Sequence, residues 1–182
     1  MKKMFFAMIL AVAAWPALAQ ETNSQSQPKN TCFAAEALVR ATGTFQKEMS
    51  GATDVEVAFG LRTGRWLIDV PVTATMGRFN RTSTSWSSRG TYESLGAAGL
   101  GVGFNLAKDI RKPSMLMVRG GVSLGDNNWR YTYYDVEYRR HHRFQSNYRN
   151  VMWGVGLRYY DTYKGPVKDC IALSLSFGLG WF

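Results

Sequence analysis

Cysteine and histidine are scarce in this chain. Its 182 residues hold two cysteines, Cys32 and Cys170, and two histidines, His141 and His142. Two cysteines do not make a disulfide-dense scaffold. Adjacent histidines and distant cysteines do not match zinc-ligand spacing, so no metal site is expected. Phosphate-cradling glycine loops are also missing, because the glycines alternate within strands rather than leading into a helix. No cofactor is expected. After residue 20 nothing resembles a spanning helix, which needs about 20 apolar residues. A lipid-spanning structure would then have to be a closed barrel, since open sheet edges go unsatisfied in hydrocarbon.

What is present starts at the N-terminus. "MKKMFFAMILAVAAWPALAQ" carries Lys2 and Lys3, an apolar run from Met4 to Trp15, and Ala17-Leu18-Ala19. A basic stretch, a short apolar core and a small-x-small site make a secretory signal peptide. The expected cut follows Ala19, so residues 1–19 are removed. The run is too short to span a bilayer as a helix. Residues 20–31, "QETNSQSQPKNT", read as a flexible polar leader. Cys32 follows no apolar run, so lipoprotein anchoring is not expected. The formal charge is +9, and losing Lys2 and Lys3 with the signal peptide leaves +7. Nucleic acid is the usual partner of so basic a chain, but export argues against it. Lipid headgroups and surface polysaccharide phosphates are the expected anions.

From residue 32 to 182 the pattern is alternation, and this stretch is read as one domain. Residues 54–62 set Val55, Val57, Phe59 and Leu61 against Glu56, Ala58, Gly60 and Arg62. Residues 66–76 set Trp66, Ile68, Val70 and Val72 against Leu67, Asp69, Pro71 and Thr73, with a bulge or a missing ladder bond expected at Pro71. The last strand sets Ile171, Leu173, Leu175, Phe177, Leu179 and Trp181 against Cys170, Ala172, Ser174, Ser176, Gly178 and Gly180. Period-2 alternation is the strand signature. Residues 33–47 fit a strand or an Ala-rich amphipathic helix, and the strand is preferred. "WRYTYYDVEY" at 129–138 reads as a strand by composition, with "RRHHRF" breaking it. "NRTSTSWSSRG" at 80–90 is a polar loop. Counting 33–47 and 128–138, there are eight strands of roughly the length a transmembrane barrel needs.

The expected fold is therefore all-β: an up-and-down antiparallel transmembrane β-barrel of about eight strands. The exported chain, the x-G-x-G strands and the aromatic C-terminus resemble the eight-stranded outer-membrane barrels of the OmpX, OmpA N-terminal and opacity-protein type. That resemblance covers residues 33–182 as a pattern. It implies an outer-membrane location and a structural or surface-interaction role. One departure stands out: Phe182 shares parity with Gly180 and Gly178, and Trp181 falls in the apolar set instead.

Charge decides which face looks inward. Opposite the aliphatic face lie Glu36, Arg40, Glu56, Arg62, Asp69, Arg119 and Arg158. A basic residue on the lipid face near mid-membrane costs about 2–4 kcal/mol. Turned inward, these groups pair with one another. An eight-stranded interior is just wide enough for side chains, so the cluster reads as a polar plug rather than an ion pathway. Gly99, Gly101, Gly103, Gly154 and Gly156 are expected to make room for it. The competing fold is a soluble, lipocalin-like barrel with the aliphatic face inside. Trp66, Trp129, Tyr131, Tyr159, Tyr160 and Trp181, crowded at strand ends, favour the membrane because such positions suit interfacial girdles.

Candidate sites are few. Arg139, Arg140, His141, His142 and Arg143, with Arg130 and Arg149 nearby, form a candidate anion-binding patch for lipopolysaccharide phosphate. Eight strands put it on the side that holds the termini. A long hairpin over 125–147 would instead carry it outward. Some barrels of this size modify lipid A, and the deacylase pattern pairs His with Ser two residues on. Here Ser146 lies four beyond His142, so no catalytic residues are assigned. Outer-membrane lipid and lipopolysaccharide are the expected partners of a monomer. Cys32 and Cys170 are the candidate disulfide of an oxidising compartment. Yet on strands at the barrel closure they sit at opposite ends, roughly 40 Å apart at strand rise. A bridge and a first strand over 33–47 exclude each other.

Overall fold

Alternating segments become strands when each can lay its apolar side against one solvent and its polar side against another. The computed structural model describes residues 31–79, 91–107, 113–126, 128–143, 149–165 and 167–181. The expected signal peptide, the leader through residue 30, the whole 80–90 loop, Ser146 and Phe182 lie outside the described residues. The eight strands are β1 (Thr31–Thr44), β2 (Met49–Thr63), β3 (Trp66–Phe79), β4 (Thr91–Asn105), β5 (Ser114–Leu124), β6 (Arg130–Arg143), β7 (Arg149–Lys164) and β8 (Cys170–Trp181). Each pairs antiparallel with the next, and β8 pairs with β1, so the sheet closes into an up-and-down barrel.

Four expectations about local structure resolve here. Residues 33–47 are strand through Thr44, not helix. "RRHHRF" does not break a strand, because β6 runs on to Arg143 with β7 paired along it. The long outward hairpin over 125–147 does not form, since the β5–β6 turn lies at 125–129. At Pro71 the β3–β4 pairing passes from Asp69–Gly101 to Val72–Ala98 without a register shift. The missing pairs follow from a residue with no N–H to donate. Gly64, at φ 59°, supplies the left-handed residue of the short β2–β3 turn.

Strand parity sorts the two faces. Val70, Val72, Leu173, Leu175 and Phe177 are between 46% and 65% exposed. Arg119 and Arg158 are 2% and 1% exposed. The aliphatic residues are outside and the charges inside, which excludes the lipocalin-like arrangement. An apolar wall around a charged interior is the reverse of a soluble barrel and is the arrangement a transmembrane barrel requires. One end, the terminus end, carries the start of β1, the end of β8 and the turn at 64–65. The opposite end carries 45–48, the end of β5 and the start of β8.

Candidate functional site

The interior is stacked in three tiers. At the terminus end, Ala34, Leu67, Met115 and Met117 form a buried apolar cluster. At the opposite end, Met49, Phe79, Leu95, Trp129, Tyr131, Tyr133 and Tyr160 belong to a second, larger one. Trp129 is its hub, with ring centres 5.2 Å from Phe79, 4.5 Å from Tyr131 and 5.5 Å from Tyr160. Between the two lies a layer of ions.

Four guanidiniums and six carboxylates make up that layer. Arg40 donates to Glu56 and Glu137, each at 2.9 Å, and lies 3.3 Å from Asp135. Arg119 contacts Glu56 and Asp69, and Glu36 at 3.2 Å. Arg139 donates to Glu36 at 2.5 Å and Glu137 at 2.8 Å. Arg158 reaches Asp54 at 2.5 Å and Asp135 at 2.6 Å. Each arginine bridges at least two carboxylates on different strands, so the layer ties most of the barrel's circumference together. Planar, multi-pronged guanidinium pairing suits such a site better than a lysine would. The aromatic tier joins it through Arg158, whose guanidinium sits 4.5 Å from the centre of the Tyr133 ring.

Inner glycines give the ions their space. A Cβ on Gly101 would sit 2.1 Å from Asp69 Oδ1 and 2.6 Å from Arg119 Cγ. One on Gly154 would sit 2.4 Å from Glu137 Oε1. Gly103 leaves its room to Met117 instead, a buried apolar neighbour rather than a charge.

All seven charges singled out in the sequence face inward and are buried. Six of them lie in the ion layer. Arg62 lies nearer the terminus end, cross-strand from Cys32 and Leu67. Sequence reading missed Asp54, Asp135 and Glu137, although each has the inward parity of a neighbour it did assign or could have assigned. It also put Arg139 in the wrong place. Alternation splits the supposed anion patch: Arg139 and His141 point into the barrel, and Arg140 and His142 point out. The side chain of Arg143 lies outside the described residues. Among the described residues the run leaves Arg140 and His142 on the outer face. Trp129, Tyr131 and Tyr160 likewise belong to the interior rather than to an outer girdle, while Trp66, Tyr159 and Trp181 keep outward parity.

Cys32 and Cys170 are free thiols. Thr44 of β1 faces Ala172 of β8, and Ala35 faces Trp181. The two cysteines are therefore separated by nearly the full length of the strands, roughly 45 Å, against the 7 Å or so that a bridge tolerates. The candidate disulfide is replaced by the first strand. Among the described residues, no group of three or more His, Cys, Asp or Glu side chains is arranged to hold a metal ion.

No protein-family model and no curated protein matches the chain. Among solved structures it is similar to Neisserial surface protein A (NspA), at 13% identity and a TM-score of 0.43, over 84% of this chain and 99% of that one.

Proposed function

We propose that this chain is an outer-membrane β-barrel protein with a structural or surface-interaction role, exported by a signal peptide cut after Ala19. The observation that carries the reading is the sealed interior: an ion layer capped at both ends by apolar side chains, inside a wall that is itself apolar. Such a cylinder is built to sit in lipid and to hold its shape, not to pass solutes. The outer membrane is the compartment where exported barrels end, and the wall suits its lipids. The start of β1 and the end of β8 then lie on the periplasmic side, and the end of β3 on the outer side. Lipopolysaccharide and other outer-membrane lipids are the natural partners of a monomer of this kind.

An enzymatic role acting on lipid A draws no support from the histidines. His141 is buried against the ion layer, with Nε2 3.9 Å from Glu36 Oε1. His142 points outward from β6.

The test is fractionation together with conductance. The reading expects heat-modifiable mobility in unboiled gels, recovery in the outer-membrane fraction, and no conductance steps in planar bilayers. Recovery as a soluble periplasmic protein would overturn the location. Reproducible unitary conductance would overturn the sealed lumen.

A further inference from the structure

The outer wall is not uniform. Across β2, β3 and β4, close to the end opposite the termini, it carries a groove of about 540 Å³ lined by Thr53, Val55, Ala74, Met76, Ser94 and Gly96. The register explains it. Val55, Ala74 and Gly96 are cross-strand neighbours in one row, and Thr53, Met76 and Ser94 form the next. Val55 and Met76 stand up as ridges, each more than half exposed. Ala74, Ser94 and Gly96 leave the floor low. A Cβ added at Gly96 meets nothing closer than the Thr73 carbonyl at 4.0 Å.

One step further along the same face of β3, beyond Met76, is Arg78, which is exposed. Its register partners are Gly51 on β2, which has no side chain, and Tyr92 on β4. Among the described residues its guanidinium forms no ion pair. A groove two rows long, with an exposed guanidinium one row beyond it, is complementary to a segment of acyl chain whose head bears a phosphate.

We propose that this groove docks one acyl chain of a phosphorylated glycolipid of the external leaflet, with its phosphate on Arg78. The proposal rests on the outer-membrane reading given above. That reading places this end of the wall in the external half of the bilayer. The groove supplies apolar contact along a fixed chain, and the guanidinium selects for the anionic head. A lone arginine at the end of a spanning segment ordinarily does no more than reach for the headgroup region. Here the groove one row away on the same face fixes where the chain attached to that headgroup lies.

The experiment uses the folded full-length barrel in neutral detergent, with native mass spectrometry as the readout. The probes are hexa-acylated diphosphoryl lipid A, its dephosphorylated form, and phosphatidylglycerol. The expected result is a bound copy of diphosphoryl lipid A that survives detergent removal. Arg78→Gln weakens it by about tenfold, the size of one charge-assisted contact. Gly96→Leu, which fills the groove from open space, abolishes it while the folded barrel keeps its heat-modifiable mobility. Equal retention in both variants and the wild type overturns the proposal. So does equal retention of phosphatidylglycerol or of dephosphorylated lipid A. A dimer of this chain that Gly96→Leu dissociates overturns it in favour of a self-interface. A wild type that inserts into liposomes but binds no lipid defeats this inference alone. One that fails to insert defeats the outer-membrane reading with it.

Discussion

Arg158 and Asp135 meet as a two-pronged ion pair across neighbouring strands, with Nε donating to Oδ1 at 2.8 Å and Nη2 to Oδ2 at 2.6 Å. They are register partners on β7 and β6, and Arg158 also donates to Asp54 at 2.5 Å. The barrel is thus tied from inside by a residue whose removal leaves two buried carboxylates with Arg40 alone, 3.3 Å from Asp135 and 3.9 Å from Asp54. Breaking one side of a buried pair costs about 3–5 kcal/mol, because the partner charge stays behind. Arg158→Met should lose stability on that scale in urea unfolding of the liposome-folded barrel. Adding Asp135→Asn should restore part of the loss. A single variant as stable as the wild type would show that the pair does not hold the fold.

Gly101 tests the space argument. Its missing side chain is occupied by Asp69 and Arg119. Gly101→Val should overpack the ion layer and cost about 1–3 kcal/mol. Gly43 faces outward with nothing within 4 Å of an added Cβ, so Gly43→Ala should stay within about 0.5 kcal/mol of the wild type. The folded fraction in unboiled gels and the urea midpoint read both. Equal losses in the two variants would mean that the inner glycines are not there for room.

How much of this was legible follows from what alternation can and cannot encode. Period 2 located the strands other than β6, which composition alone suggested, and assigned their faces, because each strand borders two unlike solvents. Glu36, Arg40 and Asp69 could be placed inside for the same reason. Asp135 and Glu137 were passed over because "YTYYDVEYRR" has polar or aromatic residues on both faces. With no aliphatic side to point outward, the parity signal fades. "RRHHR" looked like a surface patch by composition, yet composition ignores that successive side chains point opposite ways. The same blindness put Trp129, Tyr131 and Tyr160 on a girdle. Which arginine meets which carboxylate depends on register and shear around the whole cylinder, and no local stretch of sequence holds that information.

The cysteines give a prediction that needs only a thiol reagent. Cys32 is exposed at the terminus end, and Cys170 is buried within the aromatic tier at the other. The folded barrel should take up one equivalent of maleimide and the urea-unfolded chain two. Reducing and non-reducing gels should show the same monomer mobility. A faster non-reduced band would mean a bridge that the first strand cannot coexist with.

The lipid-facing wall can be tested by depth. Val72 lies midway along β3, points outward and is half exposed, with Val57 and Ala98 as its cross-strand neighbours. Ser50 also points outward but sits at the start of β2, near the end of the wall. An arginine at mid-membrane on the outside of a barrel costs about 2–4 kcal/mol, falling to about 0–1 near the interface. Val72→Arg should therefore lower the stability of the liposome-folded protein by several times more than Ser50→Arg. In water both positions would accept an arginine with little change, so the depth dependence itself is the signature of lipid contact. Two equal and small effects would mean that this wall does not face acyl chains, whatever fills the interior.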